Sequence, residues 1–134
     1  MAPERLRIWT ISVSLASLLF LVPHVVEDLS EGLARRLGLA SDLLALLLGG
    51  FLALQSLGLV LVGQGRRTGF VITAVVGLIW VAGAIVDHGP ALLAGPFRSG
   101  ARSVLWVVGL IVGQAASTAL AGWGAGRAGA GRRA

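Results

Sequence analysis

"LLALLLGGFLALQSLGLVLV", residues 43–62, is a run without a single charged residue. At ~1.5 Å of rise per residue, a helix of this length covers about 30 Å, the thickness of a bilayer's hydrocarbon core. The stretch therefore reads as a membrane span, and it sets lipid as the solvent for the rest of the chain. Outward from it, three further runs lack Arg, Lys, Asp and Glu over a similar length. They are "IWTISVSLASLLFLVPHVV" (8–26), "GFVITAVVGLIWVAGAIV" (69–86) and "VLWVVGLIVGQAASTALAGW" (104–123). None sustains the alternation of a barrel strand. The expected fold is all-α: a polytopic membrane protein with four transmembrane helices in a compact bundle over residues 1–124. The last residues, 125–134, are Gly, Ala and Arg and read as a disordered basic tail near anionic headgroups.

Composition agrees with this reading. Hydrophobic residues make up 56% of the 134 and charged ones 13%, about half the charged share of a soluble domain. Cysteine is absent, which excludes disulfides, thiolate metal sites and cysteine nucleophiles. The net charge of +5 comes from arginine alone among the basic residues. These arginines fall mostly in pairs between apolar runs, the distribution of membrane loops rather than of a nucleic-acid-binding face. The first span could also be a signal peptide, with Arg5 and Arg7 ahead of it. The residues after it, "PHVVED", offer no small-x-small cleavage site, so a retained helix is expected.

Arginine placement also predicts orientation. The N-terminus, the second loop and the tail hold Arg5, Arg7, Arg66, Arg67, Arg127, Arg132 and Arg133; the other two loops hold Arg35, Arg36, Arg98 and Arg102. The positive-inside rule places both termini in the cytoplasm of a cell-membrane protein. Trp9 and Trp123 then lie near the inner interface, where indole rings anchor.

Lipid gives helices no hydrophobic drive to associate, so small residues and polar contacts must do it. Gly109, Gly113, Ser117 and Ala121 line one face of the fourth span. Intramolecular packing is the expected use of that face; a homodimer or a membrane-protein partner is the alternative. Gln55 and Gln114 sit mid-span and are expected to pair with each other or with Ser56, Ser117 or Thr118 inside the bundle. No span shows a continuous polar stripe on this reading, which disfavours a channel.

Chemistry concentrates where the first span ends, in "VPHVVEDLSEGLARR" (22–36). On a helix, His24 shares a face with Glu27 and Asp28. Residues 27–38 repeat apolar positions at intervals of three and four and read as an amphipathic helix resting in the interface, either separate from the first span or continuous with it. The third loop opens on "DHGP": Asp87 and His88 lie at the end of the third span. Its Gly-Pro pairs, Gly89-Pro90 and Gly95-Pro96, predict a broken helix, with residues 91–97 dipping into the interface. Counting rise per residue puts both histidines, the only two in the chain, at similar depth on the outer side.

Two imidazoles with carboxylates suit a divalent metal, with His24, Glu27, Asp87 and His88 as candidate ligands. The wider set His24, Glu27, Asp28, Asp87 and His88 could bind a proton or a lipid-like ligand. His24 and Glu27 are also candidate catalytic groups for acid–base chemistry on a lipidic substrate, as in an isomerase or hydrolase. The plain alternative is that these residues simply sit wet at headgroup level. A shared site requires spans one and three to be neighbours, with side chains ~3–6 Å apart.

"HVVED", residues 24–28, resembles the signature of small bacterial membrane proteins known by an HxxEE motif, whose function is not established. Asp28 stands where that family has its second glutamate. The resemblance covers five residues and implies that His24, Glu27 and Asp28 form a unit. In architecture, four helices with membrane-embedded His and acidic groups are also similar to the sterol-isomerase-like EXPERA group, with no shared motif beyond those residue types. Three function classes follow: a small membrane protein with an outward-facing site for a cation, proton or lipid-like ligand; a membrane-embedded isomerase or hydrolase; and a structural subunit packing through the small-residue face of the fourth span.

Overall fold

A computed structural model of the chain describes residues 2–95 and 100–130. Five helices follow in order: α1 (Pro3–Ser30), α2 (Leu33–Arg36), α3 (Ser41–Gly63), α4 (Arg67–Ala94) and α5 (Ala101–Ala130). All but α2 are long and apolar enough to cross a membrane. A helix pairs its own backbone polar groups, which is why an apolar chain in lipid takes this form. Most of the large apolar side chains point outward, among them Leu19, Leu46, Val86 and Leu93, as lipid-facing residues should.

The four long helices form an up-and-down ring. α5 packs on α1 and α4, and α3 packs on α4 and α1. Among the described residues, α1 and α4 lie on one diagonal and α3 and α5 on the other, without direct backbone contact. Spans one and three are thus not adjacent, contrary to the expectation for a shared site. Only side chains long enough to reach the bundle axis can join them.

Two tight turns set the ring. After α3, Gly65 adopts φ +74°; its N–H reaches the Val62 carbonyl at 2.8 Å, and the Arg66 N–H reaches Leu61 at 2.9 Å. This is the glycine-dependent helix stop that reuses the last free carbonyls. Gly38 (φ +68°) ends α2 in the same way, with Leu39 N–H on the Ala34 carbonyl at 2.8 Å.

The segment after the first span is continuous with it at first: α1 runs through Pro23 to Ser30, turns at Gly32 (φ +80°), and Leu33–Arg36 forms a separate turn. Two expectations about helix limits need correction. α4 continues through Gly89-Pro90 to Ala94. Proline costs that helix one bond, to the Val86 carbonyl, close to its end. The expected interfacial dip at 91–97 is therefore helix as far as Ala94, and Pro96 and Phe97 lie outside the described residues. Finally, α5 runs through much of the expected tail, to Ala130. A contact with α4 holds it there: the Arg67 Nε donates to the Ala125 carbonyl at 3.2 Å; within α5, the Arg127 guanidinium lies 5.2 Å from the Trp123 ring centre. Arg132 and Arg133 lie outside the described residues.

The interior is layered. Leu6, Val62, Phe70 and Ala121 pack near the chain termini, and Leu21, Ala84 and Leu110 pack toward the other end. Between them lies a polar layer. The Gln114 Nε2 donates to the Ser17 Oγ at 3.0 Å, the Gln55 Nε2 to the Gln114 Oε1 at 3.5 Å, and Ser14 pairs with Ser117. Gln55 and Gln114 thus meet across one diagonal, as the sequence suggests. The first span does carry a polar stripe after all: Thr10, Ser14, Ser17, His24 and Asp28 are all buried on one face of α1. Leu21 and Leu110 interrupt it, both fully buried, so the stripe is a set of clasps rather than a pore.

The small face of α5 is used inside the chain. A Cβ on Gly109 would run into the Phe20 ring, and one on Gly113 would lie 2.7 Å from the Ser17 Cβ. A partner helix could use that face only by displacing α1, which removes the basis for the structural-subunit reading. Gln114→Ala should lower stability by about 1–2 kcal/mol, the upper range for interhelical hydrogen bonds in lipid. Ser56→Ala, exposed and bonded only to its own helix at Leu52, should shift it by less than about 0.5 kcal/mol. Thermal unfolding in detergent measures both.

Candidate functional site

The second diagonal closes at the end of the bundle away from the termini. His24 and Asp28 lie one helical turn apart on the buried face of α1, which also carries Leu6, Thr10, Ser14, Ser17 and Leu21. That spacing of three and four keeps all seven on one side of the helix. His88 comes from the last turns of α4, opposite. The two imidazoles meet edge to face with ring centres 4.9 Å apart.

Asp28 is the hub. Its Oδ2 lies 3.2 Å from the His24 Nε2, and its Oδ1 lies 3.6 Å from the His88 Nε2. The same His88 nitrogen is 3.4 Å from Asp87 Oδ2. Asp87 in turn faces the Arg36 guanidinium of α2, with Nη2–Oδ2 at 3.4 Å and Nη1–Oδ1 at 3.5 Å. His24 and Asp28 are 5% and 7% exposed, so a carboxylate here would be costly without partners. The His24 Nδ1 is buried with no hydrogen-bond partner, an exception to the rule that buried polar atoms are satisfied.

Glu27 points elsewhere. It accepts a hydrogen bond of 2.7 Å from the Ser103 hydroxyl at the start of α5, joining α1 to α5 on the flank of the cluster. Of the five residues singled out in the sequence, the structure therefore brings His24, Asp28 and His88 together, with Asp87 at their edge. Glu27, the candidate acid–base partner of His24, is turned away to Ser103. One ligand atom from each of His24, Asp28 and His88 lies within 4.8 Å of the others. Asp28 takes the place that the sequence reading offered to Glu27.

Sequence reasoning missed Ser103, Arg36 and Trp80. Arg36 had a signal, since an arginine in a short loop beside several acids has few other uses. Ser103 had none, being one residue ahead of an apolar run. Trp80 lines a cavity of about 350 Å³ that opens beside the cluster. His24, Asp28 and Asp87 form its polar end; Leu33, Leu48 and Trp80 are among its apolar walls. The Trp80 Nε1 is buried without a hydrogen-bond partner.

A tetrahedral ion with ~2.0–2.1 Å bonds to N and O holds its ligand atoms about 3.3–3.4 Å apart. The two Asp28 contacts, at 3.2 and 3.6 Å, are of that order and come from its two different oxygens, one facing each imidazole. Charge favours a cation too: Asp28 faces the two imidazoles, and the Arg36 guanidinium pairs with Asp87 rather than with Asp28. No protein-family model, characterised protein or solved structure matches this chain. Chemistry must therefore be read from these side chains.

If Glu27 serves only to tie α1 to α5, Glu27→Gln should leave metal affinity within about threefold, since a ligand loss costs far more. The amide still accepts the Ser103 hydrogen bond, so stability should hold as well. Zinc titration against a chelator checks the first outcome and a melting curve the second.

Proposed function

We propose that this protein is a small integral membrane protein whose outward-facing site binds a divalent cation of the zinc class through His24, Asp28 and His88. The observation that carries the reading is the convergence of three ligand atoms, within 4.8 Å of one another, from helices on opposite corners of the ring. Three protein ligands leave a fourth position for water or substrate, the pattern of a catalytic or transport ion rather than a closed structural one. Asp87 and Arg36 flank the cluster, with Asp87 3.4 Å from the same His88 nitrogen that faces Asp28. Both termini lie in the cytoplasm on this reading. The basic end of the bundle, with Arg5, Arg7, Arg66, Arg67 and Arg127, supports that orientation. The five-residue likeness to the HxxEE proteins fits a joint role for His24 and Asp28.

The test is a titration of the purified, chelator-treated chain with Zn²⁺, Co²⁺ and Mg²⁺, read by thermal shift. Zn²⁺ and Co²⁺ should stabilise the protein at one ion per chain, Mg²⁺ should not, and His88→Ala should abolish the effect. Equal protection by all three ions would contradict a histidine-ligated site.

A second reading rests on the cavity: its apolar walls and polar end suit an acyl chain with a polar group beside His24. The protein would then act on, or hold, a lipidic molecule through His24 acid–base chemistry. In that case a lipid should copurify in the cavity and be expelled by Leu48→Trp, with metal-free protein behaving like the metal-loaded form.

A further inference from the structure

All four spanning helices contribute to the wall of the cavity beside His24, and so does the short segment around α2, through Leu33 and Leu37. The spanning helices are fixed by their length and by the polar clasps between them. The segment from Gly32 to Gly38 is held far more lightly. Glycines at positive φ stand at both its ends, Gly32 at +80° and Gly38 at +68°. Its turn bonds are local: the Gly32 N–H reaches the Leu29 carbonyl, Arg36 reaches Gly32, Gly38 reaches Arg35 and Leu39 reaches Ala34. α2 packs on α1 and α3, its neighbours in sequence. Within the segment only Ala34 is buried, and Leu37 is 57% exposed.

An ion pair ties this segment across the site to α4. The Arg36 guanidinium meets both oxygens of Asp87, at 3.4 and 3.5 Å, and both side chains are part-exposed. Such a pair contributes little and yields to salt. A glycine at positive φ is also where a backbone changes direction at low steric cost. A short stiff segment between two such points, closed on a small latch, has the build of a lid.

We infer that residues 32–38 form a lid over the cavity, held shut by the Arg36–Asp87 pair, and that its opening admits a ligand or ion from the aqueous side. Swinging out gives up the ion pair and the burial of Ala34. Among the described residues, it breaks no backbone bond to α3, α4 or α5. The lid rests on the cavity being the entrance to the site proposed above, whichever ligand that site takes.

The natural chain has no cysteine, so a single thiol on the cavity wall reports access to it. Ala84→Cys puts that thiol at a buried lining position, in the full chain held in nanodiscs of zwitterionic lipid. A neutral, hydrophilic maleimide should label it slowly, and about two- to fivefold faster with Arg36→Gln, the range set by the modest worth of a part-exposed ion pair. High salt should move the intact latch toward the same rate. Arg35→Gln removes the same charge from the same segment and keeps the Arg36–Asp87 pair, so it should leave the rate unchanged. Val25→Cys, also on the wall, repeats the measurement should Ala84→Cys melt early. Zinc exchange, followed separately, should quicken by the same factor. A chain that binds no zinc, yet labels faster without the latch, would end the ion reading and keep the lid. Labelling that Arg36→Gln leaves unchanged, or that Arg35→Gln raises equally, would overturn the lid.

Discussion

Asp28→Asn should lower zinc affinity by roughly 100-fold or more, beyond the 10–100-fold that loss of a supporting group costs in metal sites. Asp28 lies between the two imidazoles, 3.2 Å from His24 and 3.6 Å from His88. The substitution keeps the size of the side chain and removes its charge, so a cation bound at the proposed site would lose a ligand and a source of attraction. The fold should tolerate it. An amide can still hydrogen-bond an imidazole nitrogen, and a buried charge has been removed rather than exposed. A chelator-competition titration gives the affinity, and a melting curve without metal shows whether the bundle is intact. Wild-type affinity in this variant would mean that Asp28 is no ligand.

Gly69→Val should give the largest loss of stability of any single change considered. A Cβ at Gly69 would fall on the backbone of Leu61 and Val62 in α3. Backbone cannot rotate away as a side-chain tip can, so α3 and α4 must separate at their shared turn. Overpacking of this kind costs typically 1–3 kcal/mol, and a β-branched residue at such a contact belongs at the upper end or beyond. Gly49→Ala on the same bundle is the control: nothing lies within 4 Å of its would-be Cβ. There the helix should gain about 0.5–1 kcal/mol from the lost flexibility of glycine. Melting temperatures in one detergent compare the two directly. Gly69→Val should also loosen the cavity beside His24, because Leu48 and Trp80 on its walls belong to the same two helices.

The four spans were legible because charge-free length is a direct physical demand of the bilayer. The meeting of the histidines was legible in part: equal rise along parallel helices put them at one depth, and the 4.9 Å ring separation agrees. Their arrangement across a diagonal was not, because helix order around a ring depends on surfaces that residue spacing alone does not rank. The choice of Asp28 over Glu27 is a matter of 100° around α1. The buried stripe running from Leu6 through Ser14 and Ser17 to His24 settles it, and that periodicity was present in the sequence. The small hydroxyl residues disguised it, since they are equally at home facing lipid. The helical continuation past Gly124 was hidden for another reason. Gly and Ala alone favour no packed structure, and contacts with Phe70 and Arg67 of α4 help to order the segment.

The ion is the centre of this reading, and zinc K-edge X-ray absorption of the purified, zinc-loaded chain tests it most directly. Expected is one zinc per chain with two imidazole nitrogens and oxygen ligands at about 2.0–2.2 Å, and loss of one imidazole signature in His88→Ala. A spectrum of zinc surrounded by water oxygens alone, unchanged in His88→Ala, would contradict it.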